Sequence, residues 1–278
     1  MMRSLWTAAS GMRAQQSNVD TIAHNLSNVN TIGYKTEQAS FKSLLYQNLQ
    51  STSTNNAGED KPVPAQVGLG TRVAAVTSQF SQGNLLASTN PLNVAMDGDG
   101  FFQVRNIDGE VLYTRDGSFA ASPLPGDQGN LLCTGDGYPV LDANGNTIIF
   151  PSDKLSTNVR IDEWGRMGFE GEDGNTDYLR DAAGEPIQFG IVQFNNPAGL
   201  EKVGNNNYRM TVASGNPVAE RGNDNLMTSK VHQFYTEGSN VDVAEEMVNL
   251  IVAQRAYEMN SKAIQTTDDM MQQANNLR

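Results

Sequence analysis

The chain has 278 residues, 38% of them hydrophobic and 7% aromatic, enough for one or two modest cores. Its formal net charge of -12 is unevenly placed, with a net +2 in residues 1–50, a net -3 in residues 239–278 and the remainder in the middle. That acidic middle argues against a nucleic-acid partner, which draws on clustered Lys and Arg, and the single cysteine, Cys133, excludes an internal disulfide or a multi-cysteine metal site.

The N-terminal stretch MMRSLWTAASGMRAQQSNVD lacks a long apolar run ahead of a small-residue cleavage site, so no Sec-type signal peptide is expected. Nor does any run of about 18 apolar residues predict a membrane-inserted helix. Within residues 1–40, Leu5, Met12, Val19 and Leu26 recur every seven residues, and Ala8, Gln15, Ile22 and Val29 follow three residues behind them. This three-four alternation is the seam of a helix. Gly33 is placed to act as the glycine that ends it. His24, among Asn25 and Asn28, reads as a surface or interface residue rather than a catalytic one.

Residues 41–80 read as an extended linker segment. Phe41, Leu44, Leu45 and Leu49 have helix-like spacing, whereas residues 51–66 are polar, hold Pro62 and Pro64, and predict an exposed extension. Gly68 and Gly70 then permit a sharp return.

Residues 81–238 predict an antiparallel β domain. Short β-type runs at 101–105, 111–115, 148–150, 159–161, 167–169 and 187–194 alternate with Asx-Gly turns at Asp108-Gly109, Asp116-Gly117 and Asn144-Gly145. Cys133 is expected as a buried apolar residue. Asp97-Gly98-Asp99-Gly100 has the start of a calcium loop, but Phe101 and Phe102 follow and no Glu stands at loop position 12, so a tight turn is the better reading. Residues 122–128 look like a small insertion, and His232 is assigned the same bland role as His24.

Residues 239–278 predict a second helix, with Ser239 and Asp242 as an S-x-x-D start signal. Val243, Leu250, Tyr257, Ile264 and Met271 form one lane, and Met247, Gln254, Ser261 and Asp268 form a second that turns polar. Ala256, Ala263 and Met270 widen the face. The expected fold is therefore α+β, with N- and C-terminal helices pairing as a coiled coil and enclosing an antiparallel all-β middle domain. Periodicity alone favours two amphipathic helices on one globular core. The narrow seams favour pairing of the two ends and packing of many copies.

No H-E-x-x-H, P-loop, G-x-S-x-G or Cys-x-x-Cys motif occurs, so no catalytic, cofactor-binding or metal residue is nominated. A secreted hydrolase on a β scaffold would need an acid, base or nucleophile set that the sequence does not offer. A coiled-coil adhesin or scaffold would account for the ends but not for the motifs of the middle.

Those motifs add up to a family. Residues 22–35, IAHNLSNVNTIGYK, closely resemble the N-terminal signature of flagellar rod and hook proteins, roughly I-A-N-N-L-A-N-x-x-T-x-G-[FY]-K, with His24 in place of Asn and Ser27 in place of Ala. Ser239-Asn240-Val241 through Gln254-Arg255-Ala256-Tyr257-Glu258, with Asn260, Lys262, Thr266 and Asp268, is similar to the family's C-terminal signature. Gln82-Gly83-Asn84-Leu85, Gly98-Asp99-Gly100-Phe101-Phe102 and the run from Tyr113 to Phe119 resemble its β-domain motifs. Asn25, Asn28, Gly33, Gly98, Gly100, Phe101, Gln254, Arg255, Ala256 and Tyr257 carry the likeness.

The resemblance implies a structural subunit of the bacterial flagellar basal body, not an enzyme, that needs no cofactor. It implies export in the unfolded state by the flagellar type III apparatus without cleavage, then helical self-assembly beneath a cap. The terminal helices would line an inner tube with the β domain outside, in a periplasm-spanning drive shaft that transmits torque. Implied partners are further copies of the chain, proximal rod proteins, the hook protein or hook–rod junction, the rod cap, and peptidoglycan and outer-membrane ring proteins, with no nucleic acid and no membrane insertion. The seam residues Leu5, Met12, Val19, Ile22, Leu26, Val29, Val243, Met247, Leu250, Tyr257, Ile264 and Met271 become the expected subunit interface.

Overall fold

A computed structural model describes residues 2–50, 65–126, 129–151, 158–170, 176–181, 184–222 and 226–276. Most of the expected 51–66 extension and part of the 122–128 insertion lie outside the described residues. Among the described residues the fold is α+β, with two α-helices and strands that pair antiparallel. It divides into two compact units, one formed by residues 1–27, 37–78 and 242–278, the other by residues 28–36 and 79–241.

The first unit holds helix α1 (Met2–Ser27), strands β1 (Glu37–Ser43), β2 (Tyr46–Gln50), β3 (Ala65–Gly68) and β4 (Thr71–Ser78), and helix α2 (Val243–Asn276). α2 starts later than the S-x-x-D signal suggested. Its cap is Asp242, whose Oδ1 accepts the backbone N–H groups of Ala244 (2.8 Å) and Glu245 (3.3 Å), while Ser239 Oγ accepts only Val241 N, at 3.3 Å. Glu245 and Glu246 add negative charge to the first turn, where the helix dipole favours it.

The helix-like spacing of residues 41–50 is not realised. β1 pairs with β4 from Glu37↔Ser78 to Ser43↔Thr71, and β2 pairs with β3 from Tyr46↔Gly68. Backbone bonds from Leu44 N to Gly70 O (2.8 Å) and from Leu69 N to Leu45 O (3.2 Å) join the two ladders into one long hairpin. A helix there would need a surface on which to bury its apolar stripe; Phe41, Leu45 and Leu49 remain exposed, and the ladder satisfies the backbone instead. The hairpin is tied to α1 by Thr71 N, which donates to Ser10 Oγ at 3.2 Å.

The second unit is built on a six-stranded antiparallel sheet in the order 201–204, 207–209, 111–114, 101–105, 191–193, 218–219. Its central strand Phe101–Arg105 is buried on both faces, as the two-residue side-chain period requires of neighbours that both carry rings. Phe102 packs into the main core with Phe119 and Phe189, and Phe101 packs on the opposite face with Tyr113, Phe194 and Tyr208. The hairpin after Phe101–Arg105 turns at Asn106 to Gly109, where Gly109 N donates to Asn106 O at 2.9 Å. Within 187–190 only Gln188 and Phe189 form isolated bridges in place of regular strand, and one described 3-10 turn, Pro197–Gly199, interrupts the strands. Asp97 ends the strand Val94–Asp97, residues 98–99 form a bend, and a Cβ on Gly100 would stand 2.5 Å from Ile191 and 2.7 Å from Glu220 Oε1.

Gly33 does not end α1. The helix stops at Ser27, which leaves Val29 and Gly33 in the turns that follow. Gly33 is nonetheless left-handed, at φ +68°, and its N–H donates to Glu237 O at 2.8 Å. A Cβ there would stand 2.9 Å from Asp116 N. Gly33→Ala is therefore expected to cost the β unit about 2–3 kcal/mol, from backbone strain plus the clash, read as a fall in the urea midpoint of its near-UV signal.

Candidate assembly interface

The two helices approach most closely through small side chains. A Cβ on Gly11 would stand 3.0 Å from Asn260 Nδ2, so glycine is what lets α2 come this near to α1. Ala8, Ala14, Thr21, Ile22 and Asn25 are buried on α1; Glu246, Ala253 and Thr267 are buried on α2. Leu250, Ile264 and Met271 are half-buried beside them, as are Leu5, Met12, Val19 and Leu26 on α1.

The second lane of α2 is shifted by one residue from the sequence reading. The positions that turn inward are Glu246, Ala253, Asn260 and Thr267, not Met247, Gln254 and Asp268, which are exposed; Ser261 is half-buried. Both lanes recur every seven residues, so periodicity could not separate them. Close approach selected the lane with the smaller side chains.

Consequently α2 leaves a second apolar stripe uncovered. Met247 is 53% exposed and Ile251 56%, with Val248, Val252, Met259 and Tyr257 exposed beside them and Val243 at the helix start. A depression of about 430 Å³ on this unit is lined by Gln16, Val19, Gln254, Tyr257 and Glu258. A second, of about 370 Å³, lies where Trp6 (73% exposed), Ser10 and Arg13 of α1 meet Leu44, Leu69 and Val73. Exposed apolar surface grouped on one unit is the kind of surface that protein interfaces use.

The motif residues fall into two sets. Asn25 joins three elements of the helical unit: its Oδ1 accepts Glu37 N at 2.8 Å, and its Nδ2 donates to Glu37 O at 2.8 Å and to Glu246 Oε1 at 3.1 Å. Gln254 and Arg255 point outward, with Arg255 bonded to Glu258 at 3.1 Å, while Ala256 is half-buried. His24 is exposed, its Nδ1 3.7 Å from Glu37 Oε2.

In the β unit, Asn28 Oδ1 accepts Thr31 Oγ1 at 3.1 Å, and Gly98 O accepts Arg115 Nη2 at 2.6 Å. His232 lies on the strand Lys230–Gln233, 3.9 Å from Asp97. Cys133 is buried, and burial pushes its thiol up.

Two devices of the β unit were missed. Glu237, whose side chain is fully buried, accepts Lys35 Nζ at 2.7 Å and Gly83 N at 3.0 Å on Oε1, with Arg115 Nη1 3.5 Å from Oε2. Burial pushes both the Lys35 ammonium and the Arg115 guanidinium down from their ordinary values, and the Glu237 carboxylate pushes back. Asn240 accepts Thr36 N at 2.7 Å and donates to Gln79 O at 2.9 Å. Lys35, Arg115 and Asn240 stand inside the motifs, but nothing in their spacing signalled that they converge. Glu237 lies outside those motifs.

Residues 5–35 match the family described as flagella basal body rod protein, residues 95–168 the flagellar hook protein FlgE/F/G D1 domain, and residues 232–277 the flagellar basal body rod FlgEFG protein C-terminal family. The chain is 44% identical to the flagellar basal-body rod protein FlgG of Borreliella burgdorferi, over 100% of this chain and 99% of that one. It is 40% identical to the FlgG of Buchnera aphidicola subsp. Schizaphis graminum and 36% identical to that of Bacillus subtilis, each over 100% of both chains.

Proposed function

The chain belongs to the flagellar basal-body rod protein family, and from that membership we propose how it works as a structural subunit of the distal rod of the flagellar basal body. Its role is structural and not enzymatic, a reading supported by the families and relatives it matches, which are flagellar rod and hook proteins. Copies of the chain stack helically into a hollow drive shaft, with α1 and α2 pairing as a coiled coil along the inner tube and the β unit outside. The observation that carries this reading is the uncovered apolar stripe of α2, from Met247 to Met259, which a second copy would bury. Leu5, Met12, Val19, Leu26, Leu250, Ile264 and Met271, half-buried in the single chain, complete their burial at these contacts; Ile22 is already inside.

The subunit leaves the cytoplasm through the flagellar type III apparatus without cleavage and spans the periplasm in the assembled rod. There it meets proximal rod proteins below, the hook or hook–rod junction above, the rod cap during growth, and the ring proteins around it. Its acidic β surface suits rotation inside a bushing to which it must not adhere. The test of the whole reading is electron microscopy of basal bodies from a strain deleted for the gene, where rods that reach full length with an attached hook would refute it.

The hairpin of β1 to β4 lies along neighbouring copies and limits their sliding, which makes the assembly straight and stiff. Deleting residues 51–66, which follow β2 and include Ala65 and Gln66 of β3, is expected to give filaments that bend measurably more than the parent's, scored by curvature in electron micrographs. Unchanged straightness would assign the stiffness to the helices alone.

A further inference from the structure

Glu246 is an acidic residue in an unusual place. It lies one turn into α2 and is only 8% exposed. Its Oε1 accepts the amide of Asn25 at 3.1 Å, and its Oε2 is buried with no hydrogen-bond partner. Asn25 is neutral and carries no compensating charge, and the same amide group donates to Glu37 O on β1 at 2.8 Å. Among the described residues no Lys or Arg stands within ion-pair range of Glu246. A buried carboxylate without a cation is far costlier than a buried neutral carboxyl, because only the charged form forfeits strong hydration.

The other titratable groups do not supply the missing charge. On its own helix, Glu245 lies beside it with the same sign, and Asp242 is engaged as the cap. On α1, His24 is exposed and turned to Glu37 of β1, with Nδ1 and Oε2 3.7 Å apart. We propose that Glu246 and Asn25 form a proton-operated clasp on the terminal helix pair, closed when the Glu246 carboxyl is neutral and loosened when it is ionised. Burial holds this carboxyl above its ordinary value; the Asn25 hydrogen bond opposes it, and the like charge of Glu245 adds a smaller push upward. The sign follows from linkage. A group whose native value is raised contributes stability that is fully present below the unfolded value of 4.5 and is lost as pH rises through the native one. The helix pair therefore tightens on acidification, and this holds whether or not the chain polymerises.

The experiment is hydrogen exchange of α1 and α2 amides in the full-length monomer from pH 4.5 to 7.5, expressed as protection factors so that intrinsic exchange cancels. Protection in the parent is expected to fall as pH rises, by up to about tenfold per pH unit, the slope of a single proton. Glu246→Gln and Glu246→Met should each flatten that slope and match or exceed the parent's protection at pH 7.5, while His24→Asn should keep the slope. Flat protection in the parent overturns the clasp, and so does a parental slope that survives both Glu246 variants. A slope lost in His24→Asn would overturn it too, by assigning the effect to the His24–Glu37 pair.

Discussion

Replacing Glu237 with alanine is expected to cost the β unit about 3–5 kcal/mol, because the change strands two buried cations at once. Lys35 and Arg115 face this single carboxylate from opposite oxygens, and neither side chain is more than 1% exposed. Gly83 N would also lose its acceptor. Against a typical domain stability of roughly 5–15 kcal/mol, such a loss leaves a marginal fold. The contrast is Glu110→Ala, which breaks the half-exposed pair with Arg209 at 2.8 Å and should cost less than about 1 kcal/mol. Urea unfolding of both variants decides the point. Equal, small shifts would mean that the Glu237 cluster contributes no more than a surface pair.

Ile251→Asp is expected to abolish polymerisation and leave the monomer folded. The side chain is 56% exposed in the single chain, so the aspartate meets water there and costs little. In the proposed polymer the same position is covered, and an unpaired charge loses at least about 3 kcal/mol per contact, which raises the critical concentration by roughly a hundredfold. Leu250 is half-buried against α1, so a charge at that position would disturb the helix pair as well and would not separate assembly from folding. Sedimentation of the variant against the parent, with circular dichroism as the folding control, is the measurement. Normal polymers from Ile251→Asp would remove the α2 stripe from the interface.

The interface is only partly legible in the sequence. Of the expected lane Val243, Leu250, Tyr257, Ile264 and Met271, a seven-residue repeat of large apolar residues, the single chain half-buries Leu250, Ile264 and Met271 and leaves Val243 and Tyr257 exposed. The lane Glu246, Ala253, Asn260 and Thr267 was not legible, because small and polar residues carry no hydropathy signal, although their size is what the approach at Gly11 requires. Met247 was read as part of the pairing seam for its hydrophobicity; the structure leaves it 53% exposed, and in the proposed polymer a second copy would bury it.

By itself, the sequence determined two terminal helices, short strands with Asx-Gly turns at Asp108-Gly109 and Asn144-Gly145 though not at Asp116-Gly117, and membership of the rod and hook family. These signals are local: a repeat within one helix, a backbone conformation that Gly or Asn tolerates, a contiguous motif. Tertiary structure decided which face of α2 turns inward, that residues 37–50 and 65–78 pair as a hairpin where helical spacing was equally readable, and that Asn25 meets Glu246 and Lys35 meets Glu237. Those last contacts join residues 221 and 202 positions apart. No periodicity spans such distances. A buried charge reveals its partner only when the chain closes around it, because its desolvation cost depends on what the rest of the fold brings within about 3 Å.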